Sequence, residues 1–286
     1  MPELPEVETV RRTLEPEVLG RTVLSVAALD PLVLGGEDPA AFSGRLVGRA
    51  FHRLERRGKY LLFDLGGLTM TVHLGMTGRL VAGPPQGPLR PHDRVVWALD
   101  GGREMRYHDV RRLGRVLLAG PAGEALGPGA SGFPPGLRRL GPEPLAENAA
   151  SVLARAFSGR RTPIKALLLE QRVLAGVGNI YADEALFLAG INPLRPAGGL
   201  SPGEVAALAS ALRQVLGRAI EAGGTTVSDY RDGRGRPGEY AVQLKVYGRG
   251  GQPCPACGGE IRRTRVRERS AHYCPTCQRL DTNKRS

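Results

Sequence analysis

The sequence predicts an α+β protein of several domains: an antiparallel β-sandwich with an N-terminal helix, then a helical domain, then a small β-hairpin that carries every cysteine. Three observations predict this order. Short β-branched or leucine-rich runs, separated by Gly, Pro and Asp, fill residues 21–119. A helical period of apolar residues follows over 145–222. The four cysteines all lie between positions 254 and 277.

The N-terminal β domain is predicted to span residues 1–119. Val7, Val10, Leu14 and Val18 share one helical face and Pro5 suits a first turn, so a helix is expected over 5–19. No long helical period separates the strand-like runs, which favours an antiparallel sandwich or barrel over a parallel sheet. The predicted strands are 21–28, 60–65, 69–73, 79–82, 95–99 and 116–119.

A linker and a helical domain are predicted next. Residues 120–144 are dense in Pro and Gly and are interpreted as the linker. The domain over 145–222 opens its last helix with Ser201 as N-cap. Its predicted helices are 147–157, 163–171, 180–189 and 202–222.

The segment after the helices is predicted to be a loop followed by a strand, over 223–246. Residues 223–238 are rich in Gly, Thr, Ser, Asp and Arg, too polar to pack a core, and are interpreted as a mobile loop. A short strand is expected at 240–246. The cysteine module then occupies 247–286.

The charge balance points to an anionic partner. Forty basic residues face 28 acidic ones, which leaves a formal charge of +12 and a pI near 10.2. Nucleic acid is the usual partner of so basic a chain, although a generally basic surface remains the alternative. No apolar run approaches the length of a transmembrane helix, and the acidic start does not fit a secretory signal. We therefore expect the protein to stay in the compartment where it is made.

The cysteines form two Cys-x-x-Cys pairs, Cys254 with Cys257 and Cys274 with Cys277. This spacing is typical of a tetrahedral four-sulfur zinc site, with a redox dithiol as the alternative. Four thiolates leave no coordination position for water, so one structural zinc ion is expected. Five arginines lie between the pairs, within residues 261–270, where they can meet phosphates or remain a solvated charge run.

The N-terminus offers a reactive amine. Removal of Met1 would expose the secondary amine of Pro2, and an α-amine titrates near 8, about two units below lysine. Such an amine can attack a sugar C1′ and form an iminium, which makes β-elimination feasible. Glu3 follows directly and can move protons, and Glu6 lies one helical turn on. Pro and Glu are also ordinary residues at a first helical turn, and by themselves they do not decide the matter.

Five motifs in sequence order carry a family resemblance. They are Met-Pro-Glu-Leu-Pro-Glu-Val-Glu-Thr at 1–9, Arg-Gly-Lys-Tyr-Leu at 57–61, His-Leu-Gly-Met-Thr-Gly at 73–78, Asp-Val-Arg-Arg-Leu-Gly at 109–114 and Gly-Val-Gly-Asn-Ile-Tyr-Ala-Asp-Glu at 176–184. With the Cys₄ module, they resemble bacterial formamidopyrimidine-DNA glycosylase. The resemblance implies a β-sandwich, a helix-two-turn-helix domain and a zinc finger, with DNA bound in the cleft between them.

The resemblance also implies an activity, namely excision of oxidised purines from duplex DNA followed by β,δ-elimination at the abasic site. Pro2 would be the Schiff-base nucleophile and Glu3 the acid that helps to open the sugar. Lys59 would act in the lyase steps, and Arg269 in δ-elimination and phosphate contact. The implied enzyme is a bacterial cytoplasmic monomer that works on nucleoid DNA containing oxidised bases or abasic sites.

Further implied DNA contacts fall into two groups. Met76, Arg111 and Leu113 would fill the gap left by a flipped-out nucleotide, and Leu113 stands where the family usually has phenylalanine. Backbone contacts would come from His92, Arg160 or Arg161, Lys165 and Asn179. Asn179 follows the turn at 176–178, whose amides suit a phosphate. The loop at 223–238 would cap the lesion, with donors from Thr225, Thr226 or Ser228.

Three competing interpretations remain open at this point. The endonuclease VIII-like branch of the same fold prefers oxidised pyrimidines, but Leu4 and the arginine pair at 111–112 favour the purine branch. An intact Pro2, Glu3 and Lys59 argue against a non-catalytic basic zinc protein. A zinc-ribbon translation or transcription factor leaves the first 120 residues unexplained.

Overall fold

The structure, a computed structural model, describes residues 1–124, 132–227 and 229–280. It divides into two compact units. The first contains Met1–Arg138 and Ile220–Ala241, and the second contains Arg139–Ala219 and Val242–Ser286. The segment predicted as a loop after the helical domain therefore belongs largely to the first unit.

The first unit contains, among its described residues, two four-stranded antiparallel sheets. One has the strand order β1-β6-β7-β5 and the other β2-β3-β4-β8, which confirms the predicted sandwich. The strands are β1 Val23–Ala28, β2 Arg53–Arg57, β3 Tyr60–Asp64, β4 Thr69–His73, β5 Arg79–Gly83, β6 Asp93–Leu99, β7 Arg103–His108 and β8 Arg115–Ala119.

Helix α1, Leu4–Val18, lies against β2, β3 and β5. Its predicted apolar face is confirmed, because Val7, Val10, Leu14 and Val18 are all fully buried. They join Trp97, Tyr107 and the other apolar residues of one continuous core. Burial of this face, and not helix propensity alone, stabilises the helix.

Two strands and one helix within the predicted sandwich, residues 1–119, were not predicted. Strands β2 and β7 read Arg-Leu-Glu-Arg-Arg and Arg-Glu-Met-Arg-Tyr-His, too polar to resemble strands. They form because each pairs with a strongly apolar neighbour, β2 with β3 and β7 with β6. Helix α2, Pro39–Leu46, begins where the Asp38 carboxylate accepts from the backbone N–H of Ala41.

The segment predicted as a linker contains short elements where it is described. A 3₁₀ turn occupies Pro121–Gly123 and helix α3 occupies Pro135–Arg138. Residues 125–131 of the predicted linker lie outside the described residues.

The helical elements beyond residue 139 follow the predicted order. They are α4 Ala149–Phe157, α5 Ile164–Leu168, α6 Asn179–Leu188 and α7 Pro202–Glu221, the last of which ends in the first unit. Helix α5 is shorter than predicted. No helix among the described residues is both long and apolar enough to cross a membrane.

The strand predicted at 240–246 is wrong. Residues Tyr240–Gln243 form a 3₁₀ helix instead. The following backbone N–H groups, from Lys245, Val246 and Tyr247, donate to the Glu184 carboxylate at 2.8–2.9 Å, so they are not available to a β ladder. The predicted hairpin of the tail is confirmed as β9 Arg262–Val266 paired with β10 Arg269–Tyr273.

Candidate active site

The start of α1 is held by a reciprocal capping arrangement of Glu3 and Glu6. Glu3 is the N-cap, and the backbone N–H of Glu3 donates to Glu6 Oε2 at 2.8 Å. Both carboxylate side chains are almost fully buried. Pro2 precedes them and is itself buried, while Met1 is 49% exposed. The predicted nucleophile therefore sits on a backbone that two acids hold in place.

The same Glu6 carboxylate also binds the segment predicted to cap the lesion. Its Oε1 accepts from the backbone N–H of Thr225 at 2.7 Å. The Tyr230 hydroxyl donates to the carbonyls of Gly223 and Glu6 at 3.1 and 3.3 Å. Burial and the Glu6 charge raise the pKa of Tyr230, so the hydroxyl remains a donor at any ordinary pH. The described part of this segment is thus tied to α1.

The hydroxyl of Thr226 is engaged in bonds within the segment. Thr225 is buried, and the Thr226 hydroxyl donates to Tyr230 O while accepting from the backbone N–H of Gly238. Ser228, the third predicted donor, lies outside the described residues.

Lys59 lies in the two-residue turn between β2 and β3 and is only 6% exposed. Beside that turn, the Arg56 guanidinium of β2 donates to the Glu8 carboxylate of α1 at 3.1 Å. Helix α1 therefore binds the hairpin that carries Lys59.

His73 is a neighbour of Lys59 that the sequence reasoning did not single out. Its strand pairs it with Tyr60, and the two rings lie 4.7 Å apart. Burial, together with the positive charges of Lys59 and Arg115, lowers the pKa of His73 to about 4. Its imidazole is neutral at pH 7, and Nδ1 accepts from the backbone N–H of Gly75 at 3.2 Å. The signal was its place in the His-Leu-Gly-Met-Thr-Gly motif.

The three side chains predicted to fill a gap in the duplex stand on two adjacent turns. Met76, Leu113 and Arg111 are exposed, the first two by 42% and 46%. An Arg111 guanidinium nitrogen lies 3.4 Å from the Met76 sulfur. The structure therefore brings Met76 and Arg111 into contact.

In the second unit, a buried polar cluster surrounds Asp183 of α6. Lys165 is fully buried and its ammonium lies 2.6 Å from Asp183 Oδ1. Asp183 Oδ2 accepts from the backbone N–H of His272 at 3.0 Å and lies 3.1 Å from its Nδ1. This cluster joins α5, α6 and strand β10.

Lys165, predicted to contact the DNA backbone, is fully buried in this structure, and the contact stays a prediction. Its ammonium is paired with Asp183 and also donates to the carbonyl of Ser270. Its place is structural, because it fixes strand β10, whose first residue is the exposed Arg269. Asn179 is also directed at β10, with its Nδ2 donating to Ser270 Oγ at 3.3 Å.

The turn at 176–178 is less open to an anion than the sequence suggested. The backbone N–H of Gly176 donates to Gln171 Oε1 at 2.9 Å, and Gln171 Nε2 donates to Val177 O at 2.8 Å. The remaining predicted phosphate contacts, His92, Arg160 and Arg161, are exposed. His92 has a φ of 72°, and its Nδ1 lies 3.3 Å from an Arg94 guanidinium nitrogen.

The four cysteines form one structural zinc site. Their sulfurs all lie within 4.8 Å of one another, as a tetrahedral thiolate shell requires. Cys254 and Cys274 are buried and pack with Val246 and Ile261 in a small apolar cluster. The ion, when bound, closes the hairpin into a folded module and has no part in the chemistry of bond cleavage.

Fold and sites together define a class of protein: a DNA-repair glycosylase in which a sandwich begins with a Pro-Glu pair and the chain ends in a Cys₄ zinc finger. Three family descriptions match the chain in succession. They are the formamidopyrimidine-DNA glycosylase N-terminal domain over residues 1–116, the H2TH domain of the same family over 140–231, and the zinc finger found in FPG and IleRS over 251–280.

Individual proteins that are similar to this chain come from the same family. A formamidopyrimidine-DNA glycosylase of Symbiobacterium thermophilum is 52% identical over 97% of this chain and 89% of its own length. The crystal structure of the MutM (Fpg) protein from Thermus thermophilus is 46% identical, with a TM-score of 0.83, covering 97% of this chain and 98% of that one. The Lactococcus lactis Fpg (MutM) in complex with a Fapy-dG containing DNA is 32% identical, with a TM-score of 0.85, covering 97% and 100%. The chain belongs to the formamidopyrimidine-DNA glycosylase family.

Proposed function

We propose that this protein is a bifunctional glycosylase and abasic-site lyase that removes oxidised purines, formamidopyrimidines and 8-oxoguanine, from duplex DNA. The observation that carries the proposal is the arrangement at the start of α1. Pro2 directly precedes two buried acids, and Glu6 binds both the backbone of Glu3 and the segment at 223–238. The Glu6 carboxylate thus connects Glu3, the proposed proton donor next to the proposed nucleophile, with the proposed lesion-capping segment.

The chemistry begins at the Pro2 nitrogen once Met1 is removed. The secondary amine attacks C1′ of an extruded nucleotide, the bond from C1′ to the base breaks, and the base leaves with the bonding pair and takes up a proton. Glu3 protonates the ring oxygen, which opens the sugar to an iminium. Loss of a C2′ proton then expels the 3′ phosphate, and a second elimination expels the 5′ phosphate. Water finally releases the proline from the sugar remnant.

Lys59 and Arg269 serve the elimination steps in this proposal. Lys59 lies on the hairpin that Glu8 and Arg56 tie to α1, where an ammonium can stabilise a departing phosphate. Arg269 is exposed at the start of β10, and the Lys165–Asp183 pair beneath it fixes that strand. An exposed guanidinium on a strand held in this way suits a phosphate.

DNA recognition is proposed to use the exposed cations and the gap-filling side chains. Met76, Arg111 and Leu113 replace the extruded nucleotide in the duplex, with Arg111 bonding the orphaned cytosine. His92, Arg160, Arg161 and Asn179 contact phosphates. The relative from Lactococcus lactis that was solved with Fapy-dG containing DNA supports a purine lesion as substrate. We further propose a monomer that acts on nucleoid DNA in the bacterial cytoplasm, because the reaction needs one chain.

Borohydride trapping tests the proposal. Wild-type protein and borohydride should yield a covalent complex with duplex containing 8-oxoguanine, because only an imine is reduced to a stable link. Pro2→Gly should greatly reduce both trapping and nicking, whereas Pro16→Gly, an exposed proline of the same helix, should retain both. Normal nicking by the Pro2 variant would refute the assignment. Faster cleavage of thymine glycol than of 8-oxoguanine would instead place the enzyme in the pyrimidine branch.

A further inference from the structure

Asp109 lies at the centre of the two turns that carry Met76, Arg111 and Leu113. It is completely buried, and both carboxylate oxygens accept hydrogen bonds. Oδ1 accepts from the Thr77 hydroxyl at 2.6 Å and from the backbone N–H of Arg111 at 3.2 Å. Oδ2 accepts from the backbone N–H of Gly114 at 2.9 Å and from the Tyr107 hydroxyl at 3.3 Å.

The backbone of Asp109 is held as firmly as its side chain. Its N–H donates to the carbonyl of His92 at 3.0 Å, and its own carbonyl accepts from Arg94 Nε at 2.9 Å. A buried carboxylate is stable only where donors surround it, and each donor here comes from a turn or from its supporting strand. Asp109 therefore joins both turns into one unit, which we call the clasp (residues 74–78 and 107–114).

The two turns of the clasp pack closely against each other at Gly75. Gly75 has a φ of 62°, and a Cβ at that position would lie 2.5 Å from the backbone nitrogen of Gly114. Only glycine permits this approach. Arg112, which lies between Arg111 and Leu113, has a φ of 55°. A residue other than glycine adopts this backbone conformation at a cost in free energy, which the surrounding hydrogen bonds must offset.

We infer that Asp109 is a positioning residue for duplex recognition, which sets the two turns so that Met76, Arg111 and Leu113 enter the gap as one rigid wedge. This inference rests on the proposed function and deepens it. Leu113 makes the rigidity matter, because leucine cannot stack on bases as an aromatic ring does. The contribution of Leu113 to binding depends on how deep the side chain reaches into the gap. A mobile turn would have to be ordered on insertion, and the loss of side-chain and backbone entropy would weaken binding.

The Thr77 hydroxyl provides a second test of the same idea. It donates to Asp109 and accepts from the backbone N–H of Arg111 at 3.1 Å, so it connects the two turns directly. Thr77→Ser keeps this hydroxyl and Thr77→Val removes it with nearly unchanged volume. Asp109→Asn changes one acceptor into a donor that faces a donor. Asp100→Asn, on a partly exposed aspartate of the same unit, is the matched control.

The experiment compares borohydride trapping on abasic-site duplex with trapping on the same strand left single, where no gap needs filling. Asp109→Asn and Thr77→Val should each slow duplex trapping by about tenfold, the equivalent of one buried hydrogen bond. Single-strand trapping by these variants should match wild type, and Thr77→Ser and Asp100→Asn should match it on both substrates. Equal losses on both substrates, no loss on duplex, or a Thr77→Ser loss as large as that of Thr77→Val would overturn the inference.

Amide hydrogen exchange keeps the inference separate from the proposed function. In the free protein, the amides of Arg111 and Gly114 should exchange at least about tenfold faster in Asp109→Asn than in wild type. Unchanged exchange would contradict the clasp. A wild-type protein that traps neither substrate would refute the lyase proposal, and the exchange rates would then decide the clasp alone.

Discussion

Replacing Glu6 with glutamine should loosen the start of α1 and the segment at 223–238 together. The two carboxylate oxygens serve one backbone donor each, Glu3 N–H at 2.8 Å and Thr225 N–H at 2.7 Å. Glutamine has a single acceptor oxygen, so its amide group must face one of those donors. Because Glu6 is only 2% exposed, water cannot replace the lost bond.

The expected size of this effect follows from the two bonds. A hydrogen bond to a charged group contributes about 1.5–3 kcal/mol, and Glu6→Gln loses one such bond and neutralises the other. We expect a loss of about 2–3 kcal/mol in the local stability of whichever segment loses its acceptor. If the segment at 223–238 must be docked for base excision, single-turnover release of 8-oxoguanine falls by about thirty- to a hundred-and-fiftyfold.

Glu15→Gln on the same helix is the matched control. Glu15 forms a partly exposed i,i+4 pair with Arg11 at 2.9 Å, a type of pair that contributes about 0.3–0.5 kcal/mol. Hydrogen exchange at Thr225 and single-turnover excision should respond to Glu6→Gln and not to Glu15→Gln. Cleavage of a preformed abasic site should fall less than excision, because no base is present to be held. If both variants behave alike in exchange and excision, Glu6 does not join the two segments as argued.

Four further outcomes follow from the structure. The first concerns His73, whose pKa is about 4 in the folded state and 6.5 in an unfolded chain. Because the unfolded chain takes up this proton first, the free energy of unfolding should fall by up to about 3 kcal/mol as the pH drops from about 6.5 toward 4. A His73→Asn variant whose melting has an unchanged pH dependence would contradict this. Cys257→Ser should release zinc and weaken duplex binding, and full affinity in a zinc-free variant would count against the finger. Tyr230→Phe should destabilise the 223–238 segment by about 1 kcal/mol, which unchanged protease resistance there would disprove. Duplex affinity should fall steeply with salt, and a flat profile would exclude phosphate contacts as its main source.

The parts of the fold that the sequence predicted well are those whose periodicity reports burial. The apolar face of α1 and the strand Thr69–His73 repeat at the helical or the strand period and were found where expected. The cysteine spacing likewise predicts the zinc site without reference to the rest of the chain. In each case the pattern of neighbouring residues is enough to predict the local structure.

The parts that it missed depend on partners far along the chain. Strand β7 is polar in sequence and forms only because β5 and β6 lie on either side of it. Lys165 reads as a surface cation, yet it is buried because Asp183 and strand β10 enclose it. A charged side chain shows its environment only after the chain has folded, so neither outcome was readable from composition or spacing.

The buried carboxylates explain a further part of the structure that the sequence did not predict. Glu6, Asp109 and Glu184 each accept backbone N–H groups from a segment with no helical or strand repeat, around Thr225, Arg111 and Val246. Such segments have no hydrophobic period, since a single carboxylate replaces the ladder that would otherwise satisfy their amides. Irregular backbone can thereby be held as rigidly as a strand. The proposed lesion-capping segment and gap-filling turns depend on two of these acids. The residues that decide their geometry are therefore acids, although the chain as a whole carries a formal charge of +12.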